Sequence, residues 1–270
     1  DHSFLSVLEQ THRALHYFSE EGMAKNNIEL TFDNRAKSKS GKLVINAKNT
    51  MWFDYLYGEV ISKFGNYYPT WIEKQAKLSA EERLEKIKAS GAPLSVYLKS
   101  GDSWALIEQI NTIGPMADRD MVIPLDLSHN EGNEVQIKIE TGFMFWELDY
   151  AAVDFSENSE FERYDIQPHF ATDSNEKDWL SALMEADRHY MAQFTIGEQV
   201  ELRYQAPARE ANQQQSLFLH TRGYYELIRD FKGLPQLTEL IKFQQPDYLM
   251  QYSMEEYIKF TDPGTGQIAD

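Results

Sequence analysis

The stretch Glu140–Phe155, "ETGFMFWELDYAAVDF", decides the fold. It sets Phe143, Phe145, Trp146, Tyr150 and Phe155 among the acids Glu147, Asp149 and Asp154. Read as a strand, its side chains alternate between two faces. Trp146, Leu148, Tyr150 and Ala152 then share one side, a good core face. Phe145, Glu147, Asp149 and Ala151 share the other. On that second face the Cβ atoms of Glu147 and Asp149 stand roughly 6–7 Å apart along the strand. Three readings fit such a pair: a solvated sheet face whose acids meet Lys or Arg on a neighbouring strand, a ligand or ion contact, or the edge of a domain interface. Two carboxylates on one strand approach a substrate from the same side, whereas glycoside hydrolysis needs them across the scissile bond. Calcium needs six or more oxygens, so two acids are only a beginning.

Outward from this stretch the chain reads mainly as strands. "NIELTF" and "KLVINAK" flank a polar turn, "LSVYL" and "WALIEQI" flank the hairpin signal "KSGDS", and "VIPLDLS" follows. In "EVQIKIE", Val135, Ile137 and Ile139 point one way, Gln136 and Lys138 the other. Between Phe53 and Ser90 the period changes to three and four, which predicts a helical insertion. Ser79-Ala-Glu-Glu82 there is a capping box and Gly91 a helix stop. After Ser156 comes an acidic linker. Beyond it "DWLSALMEADRHY" reads as a short helix, "EQVELRYQAP" and "SLFLHTR" as strands, and the later tail as one or two short helices. The expectation is therefore a mainly β protein with an α insertion: two antiparallel, jelly-roll-like β-sandwich modules. The first spans residues 1–156, with the insertion at about 53–90. The second, smaller one spans 165–260, and 261–270 is a loose tail.

Composition narrows the function. The chain has 270 residues, 43 acids against 26 Lys and Arg, a net charge of −17 and no cysteine. Such a surface repels phosphate backbones and anionic membranes. Disulfides, thiolate nucleophiles and cysteine zinc sites are excluded together. No apolar run is long enough for a membrane helix, and no phosphate loop or nucleophile elbow is present. No cofactor or metal is expected. His12 and His16 are four apart, but no glutamate follows His12 and the opening segment reads as extended. The start "DHSFLSVLEQ", without an initiator Met, predicts a longer parent chain upstream.

Two aromatic patches are the candidate ligand-binding surfaces, and neither assigns a catalytic residue. "NTMWFDYLYGE" carries Trp52, Asp54, Tyr55 and Glu59. Rings beside carboxylates hold sugars, by stacking on CH faces and bonding hydroxyls; the same residues would also dock the insertion on the sheet. "HTRGYYELIRD" carries His220, Tyr224, Tyr225 and Glu226. It occupies the matching place in an internal echo, in which "IELTF" resembles "VELRY" and "KLVINAKNTMWFDYLYGE" resembles "SLFLHTRGYYELIRDF". The echo suggests two related β-modules. Glu147 and Asp149 complete the candidates.

The phrases "KLVINAKNTMWFDYLYGE", "APLSVYLKSGDSW", "GPMADRDMVIPLDLS", "GFMFWELDYAAVDF" and "LFLHTRGYYELIRDFKG" resemble a family of uncharacterised exported bacterial lipoproteins. The resemblance implies an outer-envelope or extracellular location and transfers no catalytic residue. The rhythm of residues 95–155 is also similar to galactose-binding-like jelly rolls, with Trp146-Glu147-Leu148-Asp149 fitting their late W-x-[ILV]-D strand. The expectation is a non-catalytic module that binds a glycan or protein partner. The alternatives are a polysaccharide hydrolase using acids among Asp54, Glu59, Glu147 and Asp149, or a structural subunit of an envelope assembly.

Overall fold

The computed structural model describes residues 25–158, 160–210, 212–223 and 230–261. The opening segment with His12 and His16, and the expected tail beyond Thr261, lie outside them. The described residues form three antiparallel sheets with a few helices, so the chain is mainly β. A four-stranded sheet has the order β1-β6-β3-β4, from β1 (Lys25–Asp33), β6 (Glu134–Gly142), β3 (Leu94–Ser100) and β4 (Ser103–Ile110). A three-stranded sheet has the order β5-β2-β7, from β5 (Arg119–Asp126), β2 (Ser40–Asn49) and β7 (Trp146–Asp154).

The period of two in the sequence becomes the core directly. On β6, Val135, Ile137 and Ile139 are buried and lie opposite Phe32, Leu30 and Ile28 of β1. On β2, Leu43 lies opposite Ile123 and Val153, and Ile45 opposite Met121 and Ala151. Buried residues of both sheets belong to one continuous apolar cluster. Each large side chain enclosed there contributes about 1.5–3 kcal/mol. The hairpin at Ser100–Ser103 closes with Gly101 at φ +57°, positive at the first central residue alone, which is the II′ pattern that matches strand twist.

The deciding strand departs from simple alternation. Asn46 faces Tyr150 while Ala47 faces Leu148, so Asp149 is an extra residue, a β-bulge in β7. Trp146 belongs to the core cluster and Leu148 packs on it; after the bulge the phase inverts, and Ala151 and Val153 turn inward. Tyr150, expected inward, is half-buried outside that cluster.

The helical insertion forms where it was expected, between β2 and β3. It comprises α1 (Met51–Ser62), a 3₁₀ turn at Gly65–Tyr67, α2 (Tyr68–Ala76) and α3 (Ala80–Ala89). Ser79 and Glu82 make the reciprocal capping box, at 2.8 and 3.1 Å. Gly91 ends the insertion at φ +70°, and a Cβ there would stand 2.2 Å from the sulfur of Met250.

Chain contacts divide the molecule into two units. The first joins the residues up to Glu157 with those from Asp230 onward; the second is Asn158–Arg229. Residues 230–260, expected in the second module, thus belong with the first. There α5 (Leu237–Lys242) is short, and α6 (Tyr248–Thr261) places Met250 and Tyr252 in the first unit's core. The second unit corrects the expectation of a second sandwich. Its described residues hold one two-stranded sheet, β8 (Pro168–Asp173) with β9 (Val200–Tyr204), and the four-residue helix α4 (Leu180–Leu183). "VELRY" is a strand as read, but "SLFLHTR" is irregular and exposed. The echo therefore reaches structure only in its first half.

Candidate functional site

The aromatics of the deciding stretch form a junction. Phe143, Phe145 and Trp146 are buried, and Met144 sits between them at φ +61°. With the chain turned this way, successive carbonyls bond to groups from elsewhere. The Phe143 carbonyl accepts the Ser253 hydroxyl of α6 at 2.9 Å. The Met144 carbonyl accepts the Thr50 hydroxyl. The Phe145 carbonyl accepts the Thr50 amide at 3.1 Å and the Asn49 side chain at 3.2 Å. Trp146 donates its indole N–H to the Ala92 carbonyl at 2.7 Å. Thr50 is also the N-cap of α1, its hydroxyl accepting the Phe53 amide at 2.9 Å. The junction thereby fixes where α1 begins and where α6 lies against it.

Those two helices carry an aromatic ledge. Trp52 donates its indole N–H to Ser253 at 2.9 Å, and its ring lies 5.6 Å from Tyr55, 5.3 Å from Tyr257 and 5.9 Å from Phe260. Trp52 is half-buried and does the docking work; Tyr55 is 56% exposed and Phe260 65%. Asp54 and Glu59 are exposed on α1. Burial raises the Tyr55 phenol above its ordinary range, and the charges of Glu59 and then Glu256 raise it further. Burial also pushes Tyr252, in the core beneath, up to about 12, again helped by Glu256 and Glu59. Rings and carboxylates from two helices therefore share one surface.

No protein-family model and no curated protein matches the chain.

The other chosen residues are not gathered on the ledge. Glu147 pairs with Lys48 at 3.4 Å, and Lys48 also reaches Asp118 at 3.5 Å. The Glu147 charge is the main reason the Lys48 pKa is raised. Asp149 is the bulge residue, so it and Glu147 do not form a regular pair along one face. His220 is exposed in an irregular part of the second unit, and Tyr224, Tyr225 and Glu226 lie outside the described residues. Among the described residues no three His, Asp or Glu converge as metal ligands, and no helix is long and apolar enough to cross a membrane. A shallow cleft of about 430 Å³ is lined by Thr31, Asp33, Arg35, Asn133 and Glu134. Inside it Arg35 clasps Asp33 and holds that carboxyl below its usual range.

Sequence reasoning missed two things. One is the α6 half of the ledge, which depends on a distant segment folding back. The other is the solvent side of the β3–β4 hairpin. There the Lys138 ammonium lies 4.5 Å from the Tyr97 ring centre and 5.5 Å from Trp104, and Lys99 lies 4.8 Å from Trp104. The signal was present: Tyr97 with Lys99, and Trp104 with Leu106, are i, i+2 pairs on either side of a two-residue turn.

Proposed function

We propose that this chain is a non-catalytic binding module that holds a glycan on the ledge formed by Trp52, Tyr55 and Phe260. The observation that carries the reading is an exposed aromatic surface with carboxylates at its side, mounted on a rigid junction. Ring faces suit the CH faces of a sugar, and Glu59 of α1 and Glu256 of α6, whose charges both act on Tyr55, stand beside the rings to accept its hydroxyls. The two sheets sharing one core, the late Trp146–Asp149 strand and the resemblance above support a galactose-binding-like β-sandwich as its scaffold. The same resemblance supports a place in an exported, outer-envelope bacterial protein. A hydrolase is disfavoured. Among the described residues, every carboxyl displaced from its ordinary pKa is lowered, from Asp33 to Glu201, whereas a general acid needs one raised.

The test is a glycan array followed by calorimetry on the best ligand. Tyr55→Ala and Glu59→Gln each weaken binding about tenfold or more, equivalent to about 1.4 kcal/mol, with the thermal midpoint unchanged. An array without ligands, joined by pull-downs from envelope extracts that recover nothing, overturns the binding reading. A protein recovered in place of a sugar transfers the ledge to a protein partner.

A further inference from the structure

Ser216–Arg222, "SLFLHTR", has the composition of a strand but, among the described residues, none of a strand's bonds. Leu217, Phe218 and Leu219 are 76%, 93% and 67% exposed, and the segment lies outside every sheet. Extended, it would set Leu217, Leu219 and Thr221 on one side and Phe218 and His220 on the other. The unit that carries it has little core to offer: Phe161, Phe194 and Ile196 are also exposed, and Pro168 and Ala171 are its only buried apolar side chains among the described residues. A two-stranded sheet is marginal by itself, and exposed apolar surface on this scale marks an interface.

We propose that Ser216–Arg222 pairs, antiparallel and about a two-fold axis, with the same segment of a second copy of this chain. Three features select a second copy. First, the segment complements itself. Centred on Leu219, the pairing sets Phe218 against His220 of the second copy, Leu217 against its Thr221 and Ser216 against its Arg222. An aromatic pair results and no like charges meet. The two Arg222 side chains stand at opposite ends of the ladder, roughly 20 Å apart. Second, residues 212–223 contain no acid, in a chain with 43 of them and a net charge of −17. Two such chains repel each other over most of their surfaces, and an acid-free strand is where they can approach. Third, the pairing is isologous and closes at two copies, the commonest symmetry of soluble assemblies.

The absence of cysteine makes the register directly testable. In Leu219→Cys the two new thiols face each other across the axis, with Cα atoms about 4.5–5.5 Å apart, within disulfide reach. That variant forms a covalent dimer under mild oxidation. Ser216→Cys, whose thiols lie far apart in this register, does not. Sedimentation of the unmodified chain shows a concentration-dependent dimer, and Phe218→Lys weakens it at least tenfold. Because Phe218 is almost wholly exposed, that variant keeps its far-ultraviolet circular dichroism. A monomer at every concentration overturns the proposal. So does cross-linking of Ser216→Cys as fast as Leu219→Cys, or growth into open-ended oligomers. Glycan binding at Tyr55 is read separately and does not depend on the outcome.

Discussion

In the first unit the ring of Phe145 is wholly enclosed, touching Phe53 at 4.7 Å between centres and lying against Gly142. In the second, the rings of Phe161 and Phe194 are almost wholly in water. The chain thus spends its large side chains in two ways. One unit closes β-sheets and helices over a common core. The other keeps a small sheet, β8–β9, held by local contacts such as Arg203 over Phe170 at 4.3 Å and the Trp179 indole on Asp173 at 2.9 Å. The contrast teaches that strand-like sequence is not enough. "KLVINAK" became a central strand because β5 and β7 flank it on both sides. "SLFLHTR", its echo, has no such neighbours within the described residues.

The sharpest way to break this contrast is to truncate an apolar side chain in each unit. Phe145→Ala removes a fully enclosed ring and lowers stability by about 3–5 kcal/mol, measured by urea denaturation of the first unit's transition. Ile196→Ala, at a fully exposed position, changes stability by less than about 0.5 kcal/mol. A comparable loss at both sites would mean that the second unit has a core after all.

Glycines sharpen the comparison at the level of backbone and space. Gly91 combines φ +70° with the sulfur of Met250 in the space a methyl would need. Gly197 has φ +90° and nothing within 4 Å. Gly91→Ala therefore carries both left-handed strain, about 1–2 kcal/mol, and overpacking, about 1–3 kcal/mol. Gly197→Ala carries the first alone. The thermal midpoints of the two variants separate the contributions.

The smallest effect is electrostatic. Asp154, at the end of β7, is held at about 2 by bonds from the Ser156 hydroxyl and amide and, less, by Lys42 at 3.0 Å. A carboxyl lowered in the folded state stabilises it above the unfolded pKa near 3.8, and that contribution is lost as pH falls from there towards about 2. Asp154→Asn therefore costs less than about 1 kcal/mol near neutral pH, given the solvent around the pair. The difference between wild type and variant shrinks below about pH 4 in acid titrations of stability.

What was legible in the sequence follows from what is local. Val135, Ile137 and Ile139 announced their strand because a period of two needs no partner to be seen. Ser79 and Glu82 announced their helix because a capping box is complete within four residues. The bulge at Asp149 was hidden, since nothing in "WELDYAAV" marks one residue as supernumerary until Asn46 and Ala47 stand opposite. The return of α6 was hidden too: Met250 and Ser253 find their partners, Gly91, Trp52 and Phe143, far back along the chain. For the candidate surface, Trp52, Tyr55 and Glu59 could be picked out because rings and acids crowd one short run. Tyr257 and Phe260 could not, for they matter only once α6 is in place.

The tie between Ser253 and the Phe143 carbonyl also has a temporal side. While the protein is being synthesised, Gly142–Trp146 leaves the ribosome about a hundred residues before Ser253 does, a wait of roughly 5–20 s at ordinary elongation speeds. Throughout that interval the nascent sheets have no helix over Phe143 and no hydroxyl for its carbonyl. The whole of the second unit emerges in the meantime. A chaperone that shields the Phe143–Trp146 turn during this window would guard the step on which completion of the first unit waits.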